Sequence, residues 1–195
     1  MKPFVILDNG HGASTPGKSS PDGLYHEWES TRRIAAAIAD GLQARGIDHH
    51  LLVPEATDVP LRTRTAAVNA LTATHPDAIL ISIHSNAAGD GSRWSDARGW
   101  CAFVAPKASQ NSCRLARLLT TEAHRHGLEG NRLTPAEGFW RASLAMVRDT
   151  HCPAVLTENL FHDNRSDVKI LLSDSGIATI ARLHIDAIAK YYSLP

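Results

Sequence analysis

Four residues pair a chemically useful side chain with a place where an element would present it. His11 lies in Asp8-Asn9-Gly10-His11-Gly12, directly after an apolar run, and glycines on both sides let the backbone turn sharply. His84 follows a second apolar run in Ser82-Ile83-His84-Ser85-Asn86. Glu158 closes Ala154-Val155-Leu156-Thr157, and a carboxylate at the end of a buried strand is costly unless it is paired, protonated or metal-associated. Glu27 opens a helical stretch. Singly, each has a plain structural explanation: a polar turn, a packed histidine, an ion pair, an acidic side chain complementing a helix N-terminus. Together, two His and one Glu are the donor set of a catalytic zinc that keeps a fourth position for water. A further Glu can act as the base that such chemistry needs. Imidazole nitrogen and carboxylate oxygen suit a borderline-soft cation better than Ca²⁺ or Mg²⁺.

A competing set exists. His26 and Glu29 form an H-x-x-E pair one helical turn apart, the ligand spacing of zinc carboxypeptidases. A peptidase of that kind also needs an arginine clamp for a terminal carboxylate, for which Arg93, Arg98 and Arg141 are available. His162 lies close to Glu158 and could line the same site. Trp94, in the polar loop 85–98, could line a cleft. The pairs His49-His50 and His124/His126 read as background. There is no supported Ser-His-Asp or Cys-His constellation, no phosphate loop and no G-x-G-x-x-G.

The elements that must position these residues follow from periodicity. Strands are expected at 3–7, 48–53, 78–83, 99–104, 143–148 and 153–157. Helices are expected at 28–45, 60–74, 109–126, 166–172 and 174–192. The first carries Ile34, Ala35, Ile38, Ala39 and Leu42 as an apolar stripe and closes at Gly46, and Ser109 is a cap for the third. Strands separated by helices imply an α/β fold with a mostly parallel sheet covered on both faces. In such sheets the site lies beyond the carboxyl ends of the strands, where His11, His84 and Glu158 fall.

Composition excludes several classes. Lys+Arg and Asp+Glu are both 20, so no overall field steers the chain to nucleic acid. The longest apolar runs, Phe4–Leu7 and Ala78–Ile81, are far too short to cross a bilayer. Cys101, Cys113 and Cys152 are odd in number and irregularly spaced, which points to free thiols rather than a disulfide framework. No repeat, linker or second domain is visible, so residues 1–195 read as one catalytic domain without a separate binding domain. No secretory signal precedes the first strand.

These motifs, in this order, resemble the zinc-dependent N-acetylmuramoyl-L-alanine amidases of the amidase 3 family over nearly the full chain. The Asp-x-Gly-His-Gly turn is matched by Asp8–Gly12, and the metal-binding Glu after a Gly by Gly23 and Glu27. The Leu-x-x-Arg-x-x-x-x-Asn helix is matched by Leu61, Arg64 and Asn69, and Ser-Ile-His-x-Asn-Ala by Ser82–Ala87. The last strand and catalytic Glu are matched by Pro153–Glu158, with Phe161 and Asn164 beyond. Where the family commonly has Val-Gly-Phe-Leu-Ser-Asn, this chain has Asn159-Leu160-Phe161-His162-Asp163-Asn164, which reshapes the rim near the base.

The resemblance implies a three-layer αβα sandwich around a six-stranded, mostly parallel twisted sheet. It implies Zn²⁺ held by His11, Glu27 and His84, with Glu158 as general base and acid. The implied reaction is hydrolysis of the amide between N-acetylmuramic acid and L-alanine in peptidoglycan. The expected partner is therefore the muramoyl peptide, with no nucleic acid and no membrane insertion, and the expected state is a monomer. The place of action is the cell wall, periplasmic or extracellular. Without a visible leader, the chain is expected to be either cytoplasmic until released or a mature fragment. Some septal members carry an extra helix that plugs the site until an activator removes it. Residues 128–141 contain Gly130, Pro135 and Gly138 and are too short for such a helix, so no activator is expected. A catalytically silent wall-binding module is the remaining alternative.

Overall fold

In the computed structural model, which describes residues 2–194, the chain alternates strands and helices. In order these are β1 (Phe4–Asn9), α1 (Glu27–Ala44), β2 (Asp48–Leu51), α2 (Leu61–Thr74), β3 (Ala78–Asn86) and β4 (Cys101–Val104). Then follow α3 (Gln110–Arg125), β5 (Trp140–Arg141), α4 (Ala145–Arg148), β6 (Ala154–Phe161), α5 (Arg165–Leu172) and α6 (Asp174–Tyr191). The strands form one six-stranded sheet in the order β2-β1-β3-β6-β4-β5. The pairs β1–β2, β1–β3, β3–β6 and β4–β5 are parallel, and only β4–β6 is antiparallel.

Each central strand sends alternate residues to opposite faces, which is why it reads as a continuous apolar run. Val5, Leu7, Ile79, Ile81, Ile83 and Val155 enter the larger core with α1, α3, α5 and α6. Ile6, Leu80 and Leu156 enter a smaller core, closed by Val68 of α2 and by Met146 and Val147 of α4. The expected αβα sandwich is the observed fold. On α1 the stripe Ile34, Ala35, Ile38, Ala39 and Leu42 is buried, as its helical period requires. Ser109 caps α3 by accepting from the Ser112 amide, and Gly127 leaves the helix at φ 70°.

Two element assignments differ from expectation. Residues 145–148 form the helical turn α4, not a strand, and the edge strand is Trp140–Arg141. A four-residue apolar run has no decisive period, and one turn of helix brings Met146 and Val147 together into the smaller core. The last strand continues to Phe161, so Glu158 lies within β6 rather than after it. Backbone pairing with β3 carries the strand past the point where apolar side chains stop.

His184 of α6 is fully buried, with Nδ1 2.8 Å from the Ile180 carbonyl and Nε2 3.2 Å from the Thr157 hydroxyl. Burial lowers its pKa from 6.5 to about 4, so the folded protein holds it neutral. Between those values the unfolded chain binds the extra proton, and stability falls as pH drops from 6.5 toward 4. Denaturant unfolding across this range should show a loss of about 3 kcal/mol assignable to this group, obtained by subtracting the same profile for His184→Gln.

Candidate metal centre

Strand register sets the site. In the parallel β1–β3 pair Asn9 aligns with Ile83, so β1 ends one residue before His11's turn while β3 presents His84. His84 aligns with Glu158 across β3–β6, and two aligned residues on neighbouring strands point to the same face. Past that level β6 bulges, and Leu160 takes φ 69°, a left-handed conformation for which glycine is the usual residue. Glu27 arrives separately, as the first residue of α1.

The first three side chains meet closely. His84 Nδ1 lies 3.1 Å, and His11 Nε2 3.4 Å, from the same oxygen, Oε1 of Glu27. One donor atom from each residue lies within 4.8 Å of the other two. The imidazoles stand edge to face, with centroids 4.9 Å apart. Gly10 makes this approach possible: a Cβ there would come within 2.2 Å of the His84 ring. The Ser85 amide donates to Glu27 Oε1 at 3.0 Å, whereas buried Oε2 has no hydrogen-bond partner. The Glu27 side chain is 1 % exposed while those of His11 and His84 are 20 % and 17 % exposed, so the cluster opens to solvent on its imidazole side.

Electrostatics separates the two carboxylates. Burial drives Glu27 upward, but His84 and His11 outweigh it and hold its carboxyl below the usual range. Glu158 is raised to about 7, chiefly by burial, with the charge of Glu27 adding and the cations of His84, Lys18 and Arg132 opposing. Its Oε2 is also buried without a partner. Burial brings His11 down to about 4, leaving a neutral imidazole with a free lone pair. His84 is shifted upward because its contact with Glu27 outweighs its burial. Two nitrogens, one ionised carboxylate and an orphaned buried oxygen fit zinc in kind and spacing.

The other candidates separate cleanly. His26 and Glu29 are both exposed and do not reach the cluster, which removes the carboxypeptidase-like set. Arg141 is already bound by both oxygens of Glu137. His162 does reach the site: it is buried, with Nδ1 3.4 Å from the Ser85 hydroxyl and 3.9 Å from Glu27 Oε2. Trp94 is half-buried against the larger core, with Arg165 stacked 4.3 Å from its ring. Lys18 and Arg132, whose charges bear on Glu158, escaped the sequence reading because each sits in a loop with no period to mark it. A second group, Glu122, His126 and Asp186, has its carboxylates engaged by Lys190, Arg125, Arg45 and Arg182.

An αβα sheet with a metal-donor cluster and a separate half-buried carboxylate at its strand ends defines a hydrolytic class of centre. The chain belongs to the N-acetylmuramoyl-L-alanine amidase family, whose profile matches residues 5–190, and it is an enzyme of that amidase type. It is 30% identical over 192 residues to the N-acetylmuramoyl-L-alanine amidase CwlM of Bacillus licheniformis, covering 97% of this chain and 69% of that protein. It is 28% identical over 200 residues to the endolysin of Bacillus phage SPP1, covering 100% of this chain and 68% of the other. The crystal structure of the N-acetylmuramoyl-L-alanine amidase from Clostridium difficile 630 superposes with a TM-score of 0.84 at 21% identity, covering 98% and 97% of the two chains. The CwlD amidase of Clostridioides difficile, solved in complex with the GerS lipoprotein, gives 0.83 at 21% identity over 98% of each chain.

The geometry sets an expectation for the two neighbouring acids. Glu27→Gln should sharply lower bound zinc measured by elemental analysis after dialysis, while Glu29→Gln should match the wild type. Equal zinc in all three proteins would remove Glu27 from the donor set.

Proposed function

We propose that this peptidoglycan amidase is zinc-dependent and cuts the amide between the lactyl group of N-acetylmuramic acid and L-alanine. In this reading its catalytic apparatus lies wholly within residues 1–195. The observation that carries it is the placement of Glu158 directly across from His84, half-buried with one carboxylate oxygen enclosed, its carboxyl raised to about 7 beside the donor cluster.

Zinc held by His11, Glu27 and His84 would supply a Lewis acid for the amide carbonyl and lower the pKa of a water. The ionised Glu27 and neutral His11 are the forms such binding requires. Glu158 takes the proton of the attacking water, because a base poised near neutrality both accepts and returns protons. It then delivers that proton to the alanine nitrogen, without which the amine is a poor leaving group. His84, and after it Lys18 and Arg132, keep the Glu158 carboxyl from rising further, so part of it is ionised at neutral pH. The opening on the imidazole side is where the scissile bond would enter.

The same reading has the enzyme working as a monomer without an activator. Residues 128–141 contain no helix, only the two residues of β5 at their end.

Two measurements test this function. Glu158→Ala should keep zinc and fold but lose about 10²–10⁴-fold in rate on isolated peptidoglycan, with products read by mass spectrometry. Wild-type turnover, or cleavage of a different bond, would overturn the assignment. Purified protein with zinc should digest sacculi without a lag, and dependence on an added second protein would overturn the activator-free reading.

A further inference from the structure

We propose that Arg32 and Arg64 form a two-guanidinium clamp on the His11 peptide that preorganises this donor for the metal, with Arg32 the member devoted to that task. The inference rests on the zinc reading above. It starts from a conformational anomaly: His11 has φ 61°, a region that side chains other than glycine seldom occupy. Such a residue persists only when its surroundings hold it. Among the described residues the ring makes no hydrogen bond, only a 3.4 Å approach to Glu27 Oε1 and an edge contact with His84.

The backbone carries the restraint. The His11 carbonyl accepts from Arg32 Nη1 and Nη2, both at 3.2 Å, and from Arg64 Nη2 at 3.3 Å. The preceding peptides are tied as well: Arg64 Nη1 donates to the Asn9 carbonyl at 2.8 Å and the Thr31 hydroxyl to that of Gly10 at 3.0 Å. Two guanidinium groups on one carbonyl oxygen fix its direction, and with it the plane from which the imidazole projects.

The two arginines are not equivalent. Arg64 is 3 % exposed and ion-paired to Asp8 at 2.9 Å and Asp58 at 3.0 Å, while the Ser82 hydroxyl donates to the second Asp8 oxygen at 2.6 Å. Removing Arg64 would strand a buried carboxylate, so its loss would damage the fold itself. Among the described residues Arg32 has no carboxylate within ion-pair distance. Its guanidinium donates only to carbonyls: those of His11, of Glu55 at 2.6 Å and of Trp28 at 2.9 Å. Its partial burial and the repulsion of Arg64 are only partly offset by the more distant charges of Glu55, Asp58 and Asp8, so its pKa is lowered. Arg32 also stands five residues beyond Glu27 on α1, so one helix delivers the carboxylate donor and holds the imidazole donor. Lysine could supply the charge but not the planar fork.

The test compares Arg32→Met, Arg32→Lys and a control, Arg33→Met, which removes an exposed pair with Asp174 from the same helix. Zinc affinity is measured by competition with a chromogenic chelator, and zinc-free melting is measured in parallel. Both Arg32 variants should bind zinc about tenfold or more weakly, as loss of groups that orient a metal ligand does. Their zinc-free melting should match Arg33→Met, whose affinity should equal wild type. In zinc-free Arg32→Met the His11 ring proton resonance should broaden or split, whereas wild type gives one. Wild-type affinity in Arg32→Met overturns the clamp, and wild-type affinity in Arg32→Lys overturns the need for a fork. Weak binding accompanied by a collapsed zinc-free melt shows a structural role instead and also overturns it. If wild type itself binds no zinc, the zinc reading fails, and an unchanged His11 resonance in Arg32→Met then separately refutes the clamp.

Discussion

A carboxylate with no exposed surface at the start of a helix is the constraint around which this protein is arranged. Glu27 is 0 % exposed, and an isolated charge so placed would be strongly disfavoured. Its Oε1 is compensated by the Ser85 amide and by two imidazoles, one from each of two different strand ends. Its Oε2 is left without a hydrogen bond. A residual demand for positive charge is therefore built into the site, and a cation between Glu27, His11 and His84 would answer it. The N-terminal end of α1 adds the favourable side of the helix dipole.

Parallel pairing does the remaining positioning. β1, β3 and β6 lie side by side, so their carboxyl ends rise to one level and bring residues far apart in sequence within reach. The smaller core, built on the two helices α2 and α4, fills the face toward which His84 and Glu158 project only below them. The same register that packs Leu80 against Ala154 and Ser82 against Leu156 sets His84 beside Glu158. A slip of one residue by either strand would turn its own site residue to the opposite face and separate the pair. The bulge at Leu160 then redirects the chain, so that His162 is buried against Ser85 and Asp163 accepts the amides of Ala88 and Gly89.

One environment also gives two glutamates opposite characters. Glu27, touched by histidines, is held below the usual carboxylate range; Glu158, half-buried beside that negative charge, has its carboxyl raised to about 7. Divergent protonation of adjacent acids is how a site divides holding from proton transfer. It arises here from placement alone, since the side chains are identical.

Much of this was legible in the residues. The apolar stripe of α1, the buried strand runs, the Ser109 cap and the turn Asp8–Gly12 each follow from local rules, because periodicity and turn chemistry act over a few residues. His11, Glu27, His84 and Glu158 could be picked out as strand-end and helix-start polar residues. Their convergence was expected only through the family resemblance, because it depends on sheet order and register, which no short segment encodes. The run 143–148 shows the same limit: its residues are compatible with strand or helix, and the smaller core decided for α4. His26 and Glu29 carry a plausible ligand spacing, yet helix orientation turns them to solvent. The exposure of His11, the raised Glu158 and the arginines gathered on the His11 carbonyl belong to tertiary structure alone. Burial and charge proximity are properties of the assembled molecule, fixed only when elements distant in the chain close around one another.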